Sequence, residues 1–201
     1  MTYNWREMTN QQRADVLRTR QQSGQPWHGP PHGLERHWYH ISAACYNHQQ
    51  VIGKNPERMA KFEKVLLRTL AKECERVSVW CVLPNHYHVL VQCRSLASCR
   101  DALGKMHGST SHLWNVEDVV RGRKCWHRCQ PREIKNESHR WATVNYIHHN
   151  PVHHNYVDRW QDWAFSSARQ YVEELGREEA LRIWRDYPIH EMGKNWDAPD
   201  A

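Results

Sequence analysis

Two short segments of this chain carry residues whose types and spacing can do chemistry. The first is Pro84-Asn85-His86-Tyr87-His88-Val89-Leu90-Val91. Its histidines stand two apart at the head of an apolar, β-branched run. Strand side chains alternate faces with a period of two, so on a strand His86 and His88 point the same way. Neutral imidazoles are common metal ligands, and one strand face can offer two of them to one ion. The second segment is Asn145-Tyr146-Ile147-His148-His149-Asn150-Pro151-Val152. As the end of a helix it sets Tyr146 and Asn150 one turn apart on one face. The Asn150 amide oxygen is a hard, neutral donor suited to Mg²⁺ or Mn²⁺. A phenol, with an ordinary pKa of about 10, is a poor nucleophile unless a cation favours the phenolate or stabilises charge on its target. The four residues together suggest metal-assisted attack by Tyr146 on a phosphodiester. His149, three residues beyond Tyr146, ranks below Asn150 as a ligand or proton shuttle.

Each residue also has a plainer reading. His86 and His88 could be polar residues of a strand face. Tyr146 could be a packed helix residue, with Trp141, Val144 and His148 as the core stripe. Asn150 could cap a helix before Pro151. A basic cluster, Arg121, Arg123, Lys124 and Arg128, is interleaved with Trp126 and followed by Arg132 and Lys135. It reads as a solvated turn or as a phosphate contact, with Trp126 free to stack on a base. Cys125-Trp126-His127-Arg128-Cys129 and the Cys93, Cys99 pair could build a zinc site, but the spacing is not the C-x2-C of common structural sites; buried free thiols are the plainer reading.

The elements that must position these residues follow from periodicity and punctuation. Residues 1–34 read as an extension: Thr9 and Gln12 suggest a capping box for a short helix to about Gln22, and a Pro/Gly/His loop follows. His37 to Tyr46 reads as the first strand. Asn55 and Pro56 open a helix as N-cap and first residue, with Met59, Phe62, Leu66, Leu70 and Cys74 along one face. Arg76–Leu83 and His86–Cys93 form a hairpin about Pro84-Asn85. A helix is expected over Ala97–His107, broken by Gly108-Ser109-Thr110-Ser111. A short strand is expected over Lys124–Gln130, and a second main helix from Ser138 to about His149, ended by Pro151. A further helix lies near Ser167–Leu175, before an acidic tail. The order β-α-β-β-α-β-α implies an α+β fold, an antiparallel sheet covered by helices.

Composition sets bounds. The chain has 201 residues, 28 Lys and Arg against 22 Asp and Glu, and a net charge of +6 with histidine neutral. That length suits one domain with terminal extensions, and the charge weakly favours a polyanionic partner. The odd count of seven cysteines and a first segment without an apolar leader point to reduced thiols in the cytoplasm. No apolar run reaches the roughly 18–20 residues that span a bilayer. Some of the eleven tryptophans must be core, while exposed ones could stack on unpaired bases.

At the two signatures the chain resembles the single-tyrosine transposases of the HUH nuclease class, and more narrowly the REP-associated tyrosine transposases. The resemblance spans roughly residues 35–172, leaving 1–34 as an N-terminal extension and 173–201 as a C-terminal tail. Arg123-Lys124-x-Trp126 and Asp162-Trp163-Ala164-Phe165-Ser166-Ser167 support it in their expected order. The resemblance implies a ferredoxin-like antiparallel sheet flanked by helices, with His86 and His88 on a central strand. It implies Tyr146 as nucleophile on the facing helix, Asn150 as third metal ligand, and Mg²⁺ or Mn²⁺ as cofactor. Larger relatives often carry glutamine in place of Asn150. It further implies cleavage of single-stranded DNA beside an imperfect palindromic hairpin, through a 5′-phosphotyrosine link, in the bacterial cytoplasm at the nucleoid. One tyrosine permits one covalent link at a time, so rejoining calls for reversal or a second protomer of a homodimer. Where the family usually carries glycine after the Pro151 turn, this chain has Asn155, which tolerates left-handed geometry. The rival expectation is a non-catalytic module that binds DNA or RNA hairpins on the same scaffold.

Overall fold

Strand β1, Trp38–Ala44, alternates two sets of side chains, and that alternation organises the molecule. The computed structural model describes residues 37–189, together with Thr9, Gln11 and Met192. The short helix to about Gln22 and the Pro/Gly/His loop lie outside the described residues, Thr9 and Gln11 apart. After β1 come helix α1 (Pro56–Glu73), β2 (Cys74–Val82), β3 (His86–Cys93), α2 (Leu96–Glu117), β4 (Gln130–Glu133), α3 (Glu137–His153), α4 (Ala168–Leu175) and α5 (Arg177–Asp186). The sheet order is β2-β3-β1-β4 with every pairing antiparallel. This is the ferredoxin-like arrangement, in which the outer strands close on a central β3-β1 pair.

Each face of the sheet carries its own core. Ile41, Ala43, Tyr87, Val89 and Val91 point to one side, where Met59, Phe62, Leu66 and Leu70 of α1 and Leu103, Met106 and Trp114 of α2 cover them. Trp38 and Leu90 point to the other, against Trp141, Val144 and Ile147 of α3. The α1 cap forms as the sequence predicts: Asn55 Oδ1 accepts from Arg58 N–H at 2.7 Å. Cys74, expected as the last apolar residue of that helix, instead begins β2.

Three expectations about element ends are corrected. Helix α2 does not break at Gly108-Ser109-Thr110-Ser111 but runs on to Glu117. Thr110 Oγ1 donates back to Met106 O at 2.9 Å and Ser111 Oγ to His107 O at 2.7 Å, so hydroxyls that favour turns are satisfied inside the helix. Burial of Thr110 and Trp114 then outweighs weak propensity. The last strand is Gln130–Glu133 rather than Lys124–Gln130. Cys45 still bridges to Trp126, but β1 pairs Ser42 with Gln130, so the register slips by one residue between the two and the ladder is interrupted. Helix α3 passes through Pro151 to His153. Proline in a last turn leaves only the Ile147 carbonyl without its helical donor, and the chain turns two residues after the helix end at Asn155, whose φ is +57°. Residues 177–186, expected within a tail, form α5; Ala180 and Ile183 are buried, and Asn145 Nδ2 of α3 donates to Ile183 O and Tyr187 O at 3.2 and 2.8 Å.

One contact pins the hairpin that carries the histidines, and an ion-pair network ties α1 to the end of α2. Gly53 N–H donates to Pro84 O at 2.8 Å, so close that a Cβ on Gly53 would lie 2.3 Å from Pro84 Cβ. Asp118, at the end of α2, accepts from Arg58 at 2.6 and 3.0 Å, from Arg123 at 2.7 Å and from Lys54. These contacts hold the carboxyl well below the usual carboxylate range, Arg58 contributing most. No helix among the described residues is long and apolar enough to cross a membrane.

His107 gives the fold a pH dependence. It is buried, stacks on Trp126 at 4.3 Å between centroids and lies 3.1 Å from Tyr87 Oη through Nε2. Burial holds its pKa down to about 4, against about 6.5 in an unfolded chain. The unfolded state therefore takes up the proton first as pH falls, and stability present above pH 6.5 is lost toward pH 4, by up to about 3 kcal/mol. Urea unfolding at stepped pH should show this slope in the wild type and a shallower one in His107→Gln; equal slopes would assign the effect to other groups.

Candidate metal and tyrosine site

On β3, His86 and His88 share a face because they are two apart, and register sets what meets them: Ala44 opposes His86, Ser42 opposes His88, and His40 opposes Leu90. All these side chains therefore face α3. Helix α3 delivers Tyr146 and Asn150 one turn apart onto the same face. His86, His88, Tyr146 and Asn150 are all buried. The Tyr146 ring stands edge-on to His88, centroids 5.3 Å apart and planes at 76°. The His86 and His88 rings are 5.0 Å apart. The structure thus brings together the four residues that the sequence singled out for chemistry.

Hydrogen bonding orients both imidazoles. Asn85 Nδ2 donates to His48 O at 3.3 Å, which turns Asn85 Oδ1 toward His86 Nδ1 at 2.7 Å. An amide oxygen only accepts, so Nδ1 carries the proton and Nε2 presents a lone pair. Asn150 Oδ1, itself an acceptor, lies 3.0 Å from that Nε2. Adjacent ligands of an octahedral Mg²⁺, at about 2.1 Å from the metal, stand about 3.0 Å apart. The pair therefore fits a divalent cation placed between them, and turning the Asn150 amide over would let Nδ2 donate to Nε2 in its absence. His88 Nδ1 lies 3.0 Å from His40 Nε2. Burial foremost, then the nearness of His88 and Arg132, keeps His40 neutral, its pKa well below the usual value. A neutral His40 can accept from His88 Nδ1–H and leave Nε2 as the coordinating nitrogen, the second-sphere role common behind metal histidines.

Three site residues escaped the sequence reading: His40, Asn85 as the His86 orienter, and His154, whose ring lies 5.0 Å from His86. His40 sits in the same two-residue alternation as Ser42, but sequence does not say which face of β1 meets the histidine face of β3. His149 points away from the site, its ring 5.2 Å from Trp184 of α5. His148 is structural: Nε2 lies 2.9 Å from Ser167 Oγ, and the ring stacks on Trp160.

The basic cluster divides. Arg121, Lys124 and Arg128 are exposed, Lys124 Nζ lying 4.3 Å over the Tyr46 ring. Arg132 faces the site side of the sheet opposite His40. Arg123 is engaged by Asn115 and Asp118. Trp126 is a core residue, packed on His107, Phe62 and Trp114 with Nε1 donating to Thr110 Oγ1 at 3.1 Å. It has no ring face left for a base, which corrects the expectation that it stacks on one.

Comparison with known proteins bears on the fold. No family model matches the chain, and no curated protein does. Among solved structures it is similar to a REP-associated tyrosine transposase bound to a REP hairpin, with TM-score 0.55 and 17% identity over 77% of this chain and 88% of that one. The chain has the fold of a tyrosine transposase. A candidate transposase from Deinococcus radiodurans R1 aligns at TM-score 0.36 and 16% identity, over 62% of this chain and 97% of that one.

Within this tyrosine-transposase fold, the Asp162–Ser167 segment has a clear structural task. Trp163 Nε1 donates to Val82 O, Val82 N–H to Phe165 O and Ser167 N–H to Trp80 O, so the segment lines the free edge of β2 and seats α3 through His148.

Two predictions follow from this geometry. A Mn²⁺ ion bound beside His86 and His88 would be held about 10–100-fold less tightly in His40→Phe, read by paramagnetic-resonance titration; equal affinity would show that His40 does not orient His88. Trp126→Ala should cost about 3–5 kcal/mol of stability in chemical denaturation; a loss of nucleic-acid affinity with full stability would restore Trp126 as a binding residue.

Proposed function

We propose that this chain is a metal-dependent, single-strand-specific DNA endonuclease and strand transferase of the transposase kind, acting beside a palindromic hairpin. One observation carries the reading: two histidines of one strand face meet a tyrosine and an amide oxygen from one helix face, with His86 Nε2 3.0 Å from Asn150 Oδ1 and the Tyr146 ring 5.3 Å from His88. The fold shared with a hairpin-bound REP-associated tyrosine transposase supports it.

In this reading His86, His88 and Asn150 would hold Mg²⁺ or Mn²⁺, which when bound would supply Lewis-acid polarisation of the scissile phosphate. Asn85 and His40 keep the two imidazoles in the coordinating tautomer. Tyr146 Oη gives up its proton to solvent and attacks phosphorus in line. The bond to the 3′-oxygen breaks, that oxygen takes a proton from solvent and leaves as a 3′-hydroxyl, and the 5′-phosphate stays on Tyr146. Attack by a 3′-hydroxyl on the same phosphorus reverses the step and rejoins strands. Arg121, Lys124, Arg128 and Arg132 contact the DNA backbone, where each neutralised phosphate adds salt dependence.

The test is a denaturing gel of protein incubated with single-stranded hairpin oligonucleotides from the DNA flanking its gene, with and without Mn²⁺. A covalent protein–DNA band is expected for wild type with metal only, and at least about a hundredfold less for Tyr146→Phe, since removing a nucleophile leaves only residual catalysis. Adduct formation by Tyr146→Phe would sink the assignment. A native-gel shift on those hairpins with no adduct under any condition would favour the non-catalytic hairpin-binding module instead.

A further inference from the structure

The opposite end of the sheet holds a cluster that the transposition chemistry does not use. Cys74 opens β2, Cys93 closes β3, and Cys99 lies in the first turns of α2. Cys74 Sγ is 3.4 Å from Cys93 Sγ and 3.7 Å from Cys99 Sγ, and all three sulfurs lie within 4.8 Å of one another. Cys93 is seven residues along β3 from His86, about 23 Å at ~3.3 Å per residue, so this cluster is separate from the candidate tyrosine site.

We propose that Cys74, Cys93 and Cys99 form a thiolate site for a soft divalent cation, zinc in the first place. Around zinc, with Zn–S of about 2.3 Å, the edge of a tetrahedron is about 3.8 Å. The two measured separations approach that edge, and both are far beyond an S–S bond. The backbone is bent to achieve it. Cys74 opposes Cys93 while Arg76 already opposes Gln92, so β2 carries one extra residue between these pairs. Without that bulge Cys74 would share a face with Arg76; with it, Cys74 turns to the face of Cys93. The start of α2, capped by Ser95, favours negative charge near Cys99. Cys93 and Cys99 are buried while Cys74 is half-buried, so the fourth tetrahedral position opens toward solvent, for water. On binding, the thiols release their protons to solvent and no electron moves. A loaded site would pin the open end of the β2-β3 hairpin to α2.

The full chain, reduced and free of metal, is titrated with Co²⁺. We expect thiolate-to-cobalt charge-transfer absorption that saturates at one ion per chain and is displaced by Zn²⁺. His86→Ala should keep it, because the candidate tyrosine site offers only nitrogen and oxygen; Cys93→Ser and Cys99→Ser should lose it. Absence of the band in wild type, or its survival in both serine variants, overturns the proposal. Should those variants fail to fold, the wild type decides: Zn²⁺ should slow alkylation of Cys74 at least tenfold in peptide mass mapping, and an unchanged rate overturns the site.

Discussion

The register of β1 against β3 is the constraint on which the site depends. Side-chain direction in a strand has a period of two, so a slip of one residue would exchange the two faces of β1. With Ser42 opposite His88, His40 stands diagonal to His88 and reaches its Nδ1. One residue off, Ile41 would enter the polar face and His40 would enter the apolar core under α1. The histidine cluster and the core on the far side therefore select the same pairing. Buried polar groups in a medium of low dielectric must find partners, and here Asn85 supplies one to His86 and His40 one to His88.

Helix α3 shows how a segment with little apolar periodicity can be buried on nearly every side. Its polar residues each meet a different neighbour. Tyr146 and Asn150 face β3, His148 reaches Ser167 at the β2 edge, and Asn145 binds the carbonyl end of α5. Arg140 fills the remaining side, its guanidinium 4.8 and 4.9 Å from the rings of Trp38 and Trp141. Desolvation pulls its pKa down to about 10, still charged at neutral pH. The helix is thus held in rotation and in depth by directional contacts as well as by grease, which is what placing a phenol beside a histidine requires.

Much of this was legible in the chain. The strand alternation at His86 and His88, the Asn55-Pro56 start and the one-turn spacing of Tyr146 and Asn150 are local, and local physics sets them. Element ends were harder. Thr110 and Ser111 look like a break until their hydroxyls find carbonyls within α2, and Pro151 looks like a stop until the helix is seen to need only one more turn. Trp126 beside three cations reads as a base platform, yet long-range packing on Phe62 and Trp114 claims it. His40 and Asn85 carry no signal of their own, because their roles depend on pairings between distant strands and loops. Cys74 joins Cys93 and Cys99 through a bulge that no spacing rule displays.

Gly53 gives the last point. It has no functional group, and its backbone lies against Pro84, the residue before Asn85. Any side chain there would act as a wedge under the hairpin entrance and displace the amide that decides which His86 nitrogen bears the proton. A position inert in itself is thereby tied to the tautomer of a histidine two links away, so that a substitution at 53 would be felt as protonation as well as space.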